Sequence, residues 1–433
     1  MSQPPAESRD LLSFIDASPS PFHATAEALR RCEAAGFTHL DEAEAWKLAP
    51  GGAYVITRGD GALLALRVGT RPPEEVGVRL TGAHTDSPNL RPKPRLAKSG
   101  GKQLLLDVEV YGGAIVATWA DRDLGLAGRV TVEDAGRLDR RLVRLASPAS
   151  RVSTLAIHLG REVNESGLKL DKHDHLVPHL GPWESKDDPE VFLRQLLADA
   201  LKVKPEQIRG HDLCLFDLSP SAFIGLDQAM IAAPRQDNLS MCHATLTALL
   251  AAPAEHASTR VAVLFDHEEI GSQTHRGAGS PMIESVFTRL CGGDAERRAR
   301  TIARSFLISA DMAHALHPAH PGKHDGRHQP LLGGGPCLKT NANQRYATDA
   351  ESGAIFRRLC GAAGVPCQEF AMRADLPCGS TIGPISAARL GLRTVDVGNP
   401  LLSMHSIREL GGSADHPQMI AALKTYFEID ALE

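Results

Sequence analysis

Four apolar runs in this chain each break off at residues that bind metals or move protons. "VRLTGAHTD" runs into His84 and Asp86, and "VAVLFDHEE" into Glu268 and Glu269. "FLISADMAH" runs into Asp311 and His314, and "TVDVGNPLLSMHS" passes through a short loop to His405. These runs read as strands, and from Pro234 onward strands alternate with helices, as in an α/β region. In open α/β sheets, ligands sit outside the carboxyl ends of the strands. The chain is thereby constrained to an α/β fold that brings His, Glu, Asp and His to one rim. A fifth ligand-type residue, Asp237 in "PRQDNLSMCHATLTALLAA", stands where a helix begins. A carboxylate at that position also serves as a helix cap.

Two imidazoles and three carboxylates suit a pair of divalent ions, Zn²⁺ first, with Mn²⁺ or Co²⁺ able to substitute. If one carboxylate is shared, each ion keeps an open position for water. Two ions can activate a water bridging them and stabilise the oxyanion it makes. The doubled carboxylate of "DHEE" then has a chemical reason. One of the pair binds metal, and the other takes the proton from water and hands it to the leaving amine. Each residue alone has an ordinary explanation as a cap, an exposed acid or a structural histidine. Their recurrence at strand ends is what points to a metal site.

The 433 residues suggest two or three domains at ~150 residues each. The start, "RDLLSFIDASPSPFHATAEALRRCEAAGF", reads as two helices broken by Ser-Pro-Ser-Pro. "AYVITRGDGALLALRVG" reads as a hairpin turning at Gly59-Asp60-Gly61. After "RPKPR" (91–95), read as a proline-stiffened crossing, the texture alternates and carries glycines, as antiparallel strands do. We therefore expect residues 95–232 to form a β-rich domain, with one helix in "PEVFLRQLLADALKV". It is inserted into an α/β domain made of 1–94 and 233–433, which ends in a helix at "PQMIAALKTYFEIDALE". The stretch 317–336 reads as a Gly/Pro/His-rich loop. Its His317, His320, His324 and His328 are taken as loop residues rather than a third metal site.

A net charge of −5 and a pI near 6.4 offer no basic footprint for nucleic acid. No apolar run approaches the ~18 residues of a membrane span. The start lacks the charged and apolar regions of a secretory signal. Eight cysteines without CxxC spacing read as free thiols, which fits a cytoplasmic setting.

Seven segments, in order, resemble the aspartyl aminopeptidase family of co-catalytic zinc metallopeptidases: "GAHTDSPNLRPKP", "PRQDNL", "DHEEIGS", "SADMAHALHP", "NQRYAT", "PCGSTIGPI" and "SMHSIRE". The resemblance implies a three-layer α/β/α metallopeptidase domain carrying an inserted β-rich dimerisation domain. It implies His84, Asp237, Glu269, Asp311 and His405 as ligands of two zinc ions per subunit. Asp237 would bridge, with His84 and Asp311 on one ion and Glu269 and His405 on the other. Glu268 matches the general base, and Asp86 the acid that orients His84. Lys339 and His314 look like the pair that meets a substrate carboxylate, and Tyr346 of "NQRYAT" joins them. His158 in "LAIHLGREV" looks like the histidine that reaches a neighbouring subunit's active site, though a structural role on the insert fits it as well. The implied activity is removal of N-terminal Asp or Glu from peptides, by a homo-oligomer that is typically a tetrahedral dodecamer built from dimers. A broad-specificity aminopeptidase or another dinuclear-zinc amidohydrolase would use the same ligand set.

Overall fold

The fold is described from a computed structural model over residues 3–432. Its main sheet has nine strands. In the middle lie Thr259–Phe265, Val78–His84, Phe306–Ala310 and Arg393–Gly398, side by side and mutually parallel. These are the four apolar runs, so their carboxyl ends share one edge, with Phe265 directly opposite His84. Every residue of the first three is buried. That is why Val261–Phe265 and Phe306–Ile308 read as continuous apolar stretches, while Val78–His84 carries Arg79 and Thr81 although it too is buried. The hairpin Ala53–Arg58/Ala62–Arg67 extends the sheet antiparallel on one side. Cys337–Thr340 and Gln368–Ala371 extend it on the other.

Successive residues of each strand point to opposite faces. Ala83, Ala262, Leu264, Ile308 and Val395 join one core with helices Ala6–Ala17, Gln236–Ala251 and Asp415–Glu428. Leu80, Val261, Val263, Phe265 and Leu307 join a second core with Met282–Leu290 and Ile382. The result is the expected three layers. The Ser-Pro-Ser-Pro break is a helix start: Ser20 accepts the His23 N–H, and Pro21 takes the first position of Pro21–Ala34.

A second lobe holds two three-stranded antiparallel sheets and helix Pro189–Leu201 around its own core. Its first strand spans Asn89–Gly100, so the expected boundary at 95 falls inside it. "RPKPR" is likewise not a crossing but part of this strand, at a break in register between Pro92 and Ala97. Proline has no N–H to give a ladder, so pairing lapses there. At the other end, Met230–Ala233 pairs with Glu409–Gly412 in a separate five-stranded sheet. That sheet also contains Ala313–His314 and Pro400–Leu402. It braces the loop that carries His405.

Helices Ala6–Ala17, Gln236–Ala251 and Asp415–Glu428 meet at a buried polar chain. His416 Nε2 lies 2.7 Å from His243 Nδ1, and His243 Nε2 lies 2.9 Å from Asp10 Oδ2. Two neutral imidazoles satisfy it, each donating from Nε2; His416 Nδ1 then keeps a free lone pair. Burial holds both histidines below the usual imidazole range, His416 well below it, while Asp10 opposes the effect on each. A depressed imidazole pKa means that the unfolded chain binds more protons below pH ~6.5, so stability falls with pH there. Each such histidine costs about 1.4 kcal/mol per pH unit. Replacing His416 by Gln keeps a donor toward His243 and removes one titration. The loss of melting temperature between about pH 7 and about pH 5.5 is expected to be smaller in this variant than in the parent. Equal losses would mean that the pair does not control acid stability.

Candidate metal centre

His84 ends its strand almost completely buried, 1% exposed. Its Nδ1 faces the Asp86 backbone oxygen at 3.0 Å and Asp86 Oδ1 at 3.4 Å. Those acceptors place the ring proton on Nδ1 and leave the Nε2 lone pair pointing into the site. Nε2 is 3.5 Å from Asp237 Oδ1 and 3.5 Å from Asp311 Oδ1. Across the site, His405 Nε2 is 3.3 Å from Asp237 Oδ2 and 3.4 Å from Glu269 Oε1. His405 Nδ1 points at the Gly113 carbonyl, 3.2 Å away.

Asp237 is not a cap. Its backbone departs from helical angles, φ −82° and ψ 103°, although it lies within the helix span. Its two carboxylate oxygens face different imidazoles, the disposition of a bridging ligand. Asp237 Oδ1 and Glu269 Oε1 are buried with no hydrogen-bond partner among the described residues. Orphaned buried oxygens are costly. Distances of 3.3–3.5 Å are long for hydrogen bonds. They match the ~3.3 Å edge of a tetrahedron with ~2.0–2.1 Å bonds to zinc. His84, Asp237 and Glu269 offer ligand atoms all within 4.8 Å of one another.

Charge makes the same case. Asp86, Asp237, Glu268, Glu269, Asp311 and Glu409 crowd two imidazoles. Burial, then nearby Asp311, Asp86 and Asp237, push Glu268 up to about 8 against the pull of His84. Glu409 is pushed up to about 8 by burial and Asp237, and burial and Asp237 also hold Glu269 well above the usual carboxylate range. Like charges this close cannot all ionise without cations among them. The donor set thus fits two divalent ions, with Asp237 between them.

Around this cage the other candidates divide. Asp86, fully buried, accepts the N–H groups of Glu268 and Glu269 at 3.0 and 3.1 Å. Burial would raise its carboxyl, but His84, then the Tyr111 hydroxyl and the Glu269 N–H, bring it down to about 2. Glu268 Oε2 lines the cage 3.9 Å from His84 Nε2. Lys339 is 1% exposed and sits behind Asp311. Its ammonium donates to the Met312 carbonyl at 3.1 Å, lies 3.8 Å from Asp311 Oδ2, and stands 5.0 Å over the Tyr346 ring. His314 packs edge-on to Phe370 and is held neutral, pushed down to about 4 by burial and Lys339. His158 does not join this group. It stands exposed in the turn Ile157–Leu159 of the second lobe, beside exposed Leu155 and Leu159.

Sequence reasoning missed two contributors. Buried Glu409 accepts the N–H of Asp237 at 3.1 Å and of His405 at 2.9 Å, tying the bridging acid to a distant imidazole. Tyr111 donates to Asp86 Oδ2 at 2.6 Å. Glu409 carries a signal, as the acid that closes "SMHSIRE". Tyr111 ends a strand of the other lobe, and nothing in its sequence context marks it.

A helix-covered sheet with a carboxylate–imidazole cage at the ends of its parallel strands defines a metal-dependent hydrolase. Residues 14–427 match the family model described as Aminopeptidase I zinc metalloprotease (M18). The chain belongs to this family of zinc aminopeptidases. It is 48% identical over 423 residues to a probable M18 family aminopeptidase 2 of Pseudomonas aeruginosa, covering 96% of this chain and 97% of that one. Among solved structures it resembles that titled as the Ape4 and Nbr1 complex, at TM-score 0.94 and 37% identity, covering 97% of this chain and 85% of that one. It also resembles the mApe1 dodecamer of S. cerevisiae, at TM-score 0.84 and 27% identity, covering 98% and 96%.

Proposed function

We propose that this zinc aminopeptidase removes N-terminal Asp or Glu from peptides. The observation that carries this specificity is a cavity of about 300 Å³ lined by His314 and by Met404, the chain neighbour of His405. Its polar wall is His314, His317, Lys323, His324, Arg373 and Ser403, with no carboxylate among its described lining residues. Arg373 also meets Asp375 at 2.7 Å, which leaves Lys323 as the uncompensated cation of that wall. Phe370, Met372 and Leu402 complete the cavity. A short acidic side chain fits such a pocket, because charge-assisted donors recover the cost of desolvating a carboxylate. Lys339, buried behind Asp311, adds its charge from the rear.

His84 and Asp311 would hold one zinc ion, and Glu269 and His405 the other, with Asp237 shared. When bound, the ions supply the Lewis acidity that polarises the peptide carbonyl and eases the deprotonation of water. Glu268 takes the proton from the attacking water and gives it to the departing amine. Asp86 fixes where that proton carrier stands, through the Glu268 N–H. The eight cysteines are all free, which accords with action in the cytoplasm. Among the described residues no helix is long and apolar enough to cross a membrane. The exposed Leu155, Ile157 and Leu159 around His158 suit an interface between copies of the chain, in a homododecamer like that of the yeast neighbour.

Hydrolysis of Asp-, Glu-, Leu- and Lys-p-nitroanilide, after chelation and with Zn²⁺, Mn²⁺ or Co²⁺ restored, tests the reading. Metal-dependent cleavage led by Asp and Glu is expected. Lys323→Met together with Arg373→Met should lower kcat/KM for those two substrates about 10- to 100-fold, the worth of one or two charged hydrogen bonds. Leu as the leading substrate would keep the hydrolase and discard the acidic specificity.

A further inference from the structure

We propose that Tyr111 is a positioning residue, through which the second lobe sets the geometry of the metal-binding and proton-transfer loops. The inference rests on the ligand set above. Tyr111 is the last residue of the strand Gln103–Tyr111. Its ring is clamped beneath the Arg91 guanidinium, 3.5 Å from the ring centroid, and Arg91 belongs to the paired strand Asn89–Gly100. The hydroxyl donates to Asp86 Oδ2 at 2.6 Å, the short distance of an O–H bound to a carboxylate. Among the described residues no Lys or Arg pairs with Asp86. It shares its two oxygens among Tyr111, His84 Nδ1 and the N–H groups of Glu268 and Glu269. Tyr111 is the member of that set that comes from outside the central sheet. It adds the other lobe's hold, the shortest of the four, to a carboxylate whose two oxygens the Glu268 and Glu269 N–H groups also engage.

The two residues that follow reach the opposite side of the cage. The Gly113 carbonyl accepts from His405 Nδ1 at 3.2 Å, and the Ile115 N–H donates to the His405 carbonyl at 3.0 Å. A Cβ at Gly112 would come within 3.0 Å of Glu269 Cβ, and one at Gly113 within 3.2 Å of His405 Nδ1. The glycines are what allow the backbone to pass so close. Tyr-Gly-Gly thus touches the supports of both imidazole ligands at once, and a shift of the second lobe is transmitted to both.

The test is Tyr111→Phe in the full chain, which removes one oxygen and keeps the ring under Arg91. Groups that orient metal ligands change metal affinity or activity about 10- to 100-fold when removed. At saturating zinc, kcat is expected to fall about 10-fold or more with KM within about two-fold. Zinc should also pass to a competing chelator about 10-fold more readily, and the visible spectrum of the cobalt-loaded chain should change. The zinc-free variant loses one buried hydrogen bond and should melt only slightly below the parent. Unchanged zinc affinity, kcat and cobalt spectrum would overturn the proposal. So would a large drop in zinc-free melting temperature with KM rising in step, the pattern of a merely structural tyrosine. If Tyr111→Phe fails to fold, Arg91→Met loosens the ring without touching the hydroxyl, and the same split in smaller degree is expected; no split there overturns the proposal too. Failure of the parent to bind zinc would instead sink the metal centre itself.

Discussion

Glu268→Gln is expected to lower kcat about 100- to 10,000-fold, the usual worth of a positioned proton carrier, while the protein keeps two zinc ions. The argument turns on the different positions of two adjacent acids. Glu269 Oε1 faces His405 Nε2 at 3.4 Å with no hydrogen-bond partner among the described residues, as suits an oxygen placed to hold an ion. Glu268 reaches the other side of the cage, 3.9 Å from His84 Nε2, outside the edge distance that the ligand atoms share. Gln keeps the size of the side chain and the N–H that Asp86 accepts, so the loop stays in place. Only the ability to take a proton goes. Glu269→Gln should behave differently, releasing zinc before it slows a loaded enzyme. Metal analysis of both purified variants beside steady-state kinetics separates the cases. Zinc missing from Glu268→Gln would reverse the roles of the two acids.

The strand ends were readable because burial on both faces leaves a plain trace. Val261–Phe265 and Phe306–Ala310 have no polar residue on either face except Ser309, so where polarity returns the strand has ended. Parallel neighbours then place those ends on one edge, and His84, Glu268, Glu269 and Asp311 converge without further information. Asp237 was ambiguous because a capping acid and a bridging acid look alike in sequence. Backbone angles and an oxygen left unpaired distinguish them. What stayed hidden acts through the main chain or from the other lobe. Glu409 works by accepting two backbone N–H groups, and the Gly113 carbonyl belongs to no side chain at all. Tyr111 depends on how the lobes meet, a contact between residues with no periodic relation. Lys339 shows the remaining gap. Its type and neighbourhood point to contact with substrate; in the fold its ammonium meets the Met312 carbonyl and Asp311, while Lys323 and the Asp375-paired Arg373 line the open cavity.

Asp237→Ala should remove both zinc ions, whereas His84→Ala should leave one. Oδ1 of Asp237 faces His84 and Oδ2 faces His405, at 3.5 and 3.3 Å, so the carboxylate belongs equally to each half of the cage. Loss of an unshared ligand weakens one site. Loss of the shared one weakens both and removes the negative charge that lets two dications sit close together. Ligand-linked stability reads this directly. An ion bound only by the folded chain adds about 4 kcal/mol at a thousand-fold excess over its Kd. Titrating zinc while following thermal unfolding should give the parent two such increments, His84→Ala about one, and Asp237→Ala none, with activity lost in proportion to the second ion. The zinc-free forms supply the baseline that separates this from a folding defect. An Asp237→Ala chain that still gained one full increment would show that the carboxylate serves a single ion. The two halves of the cage would then be independent sites, and the joint activation of water that Glu268 depends on would have no structural basis.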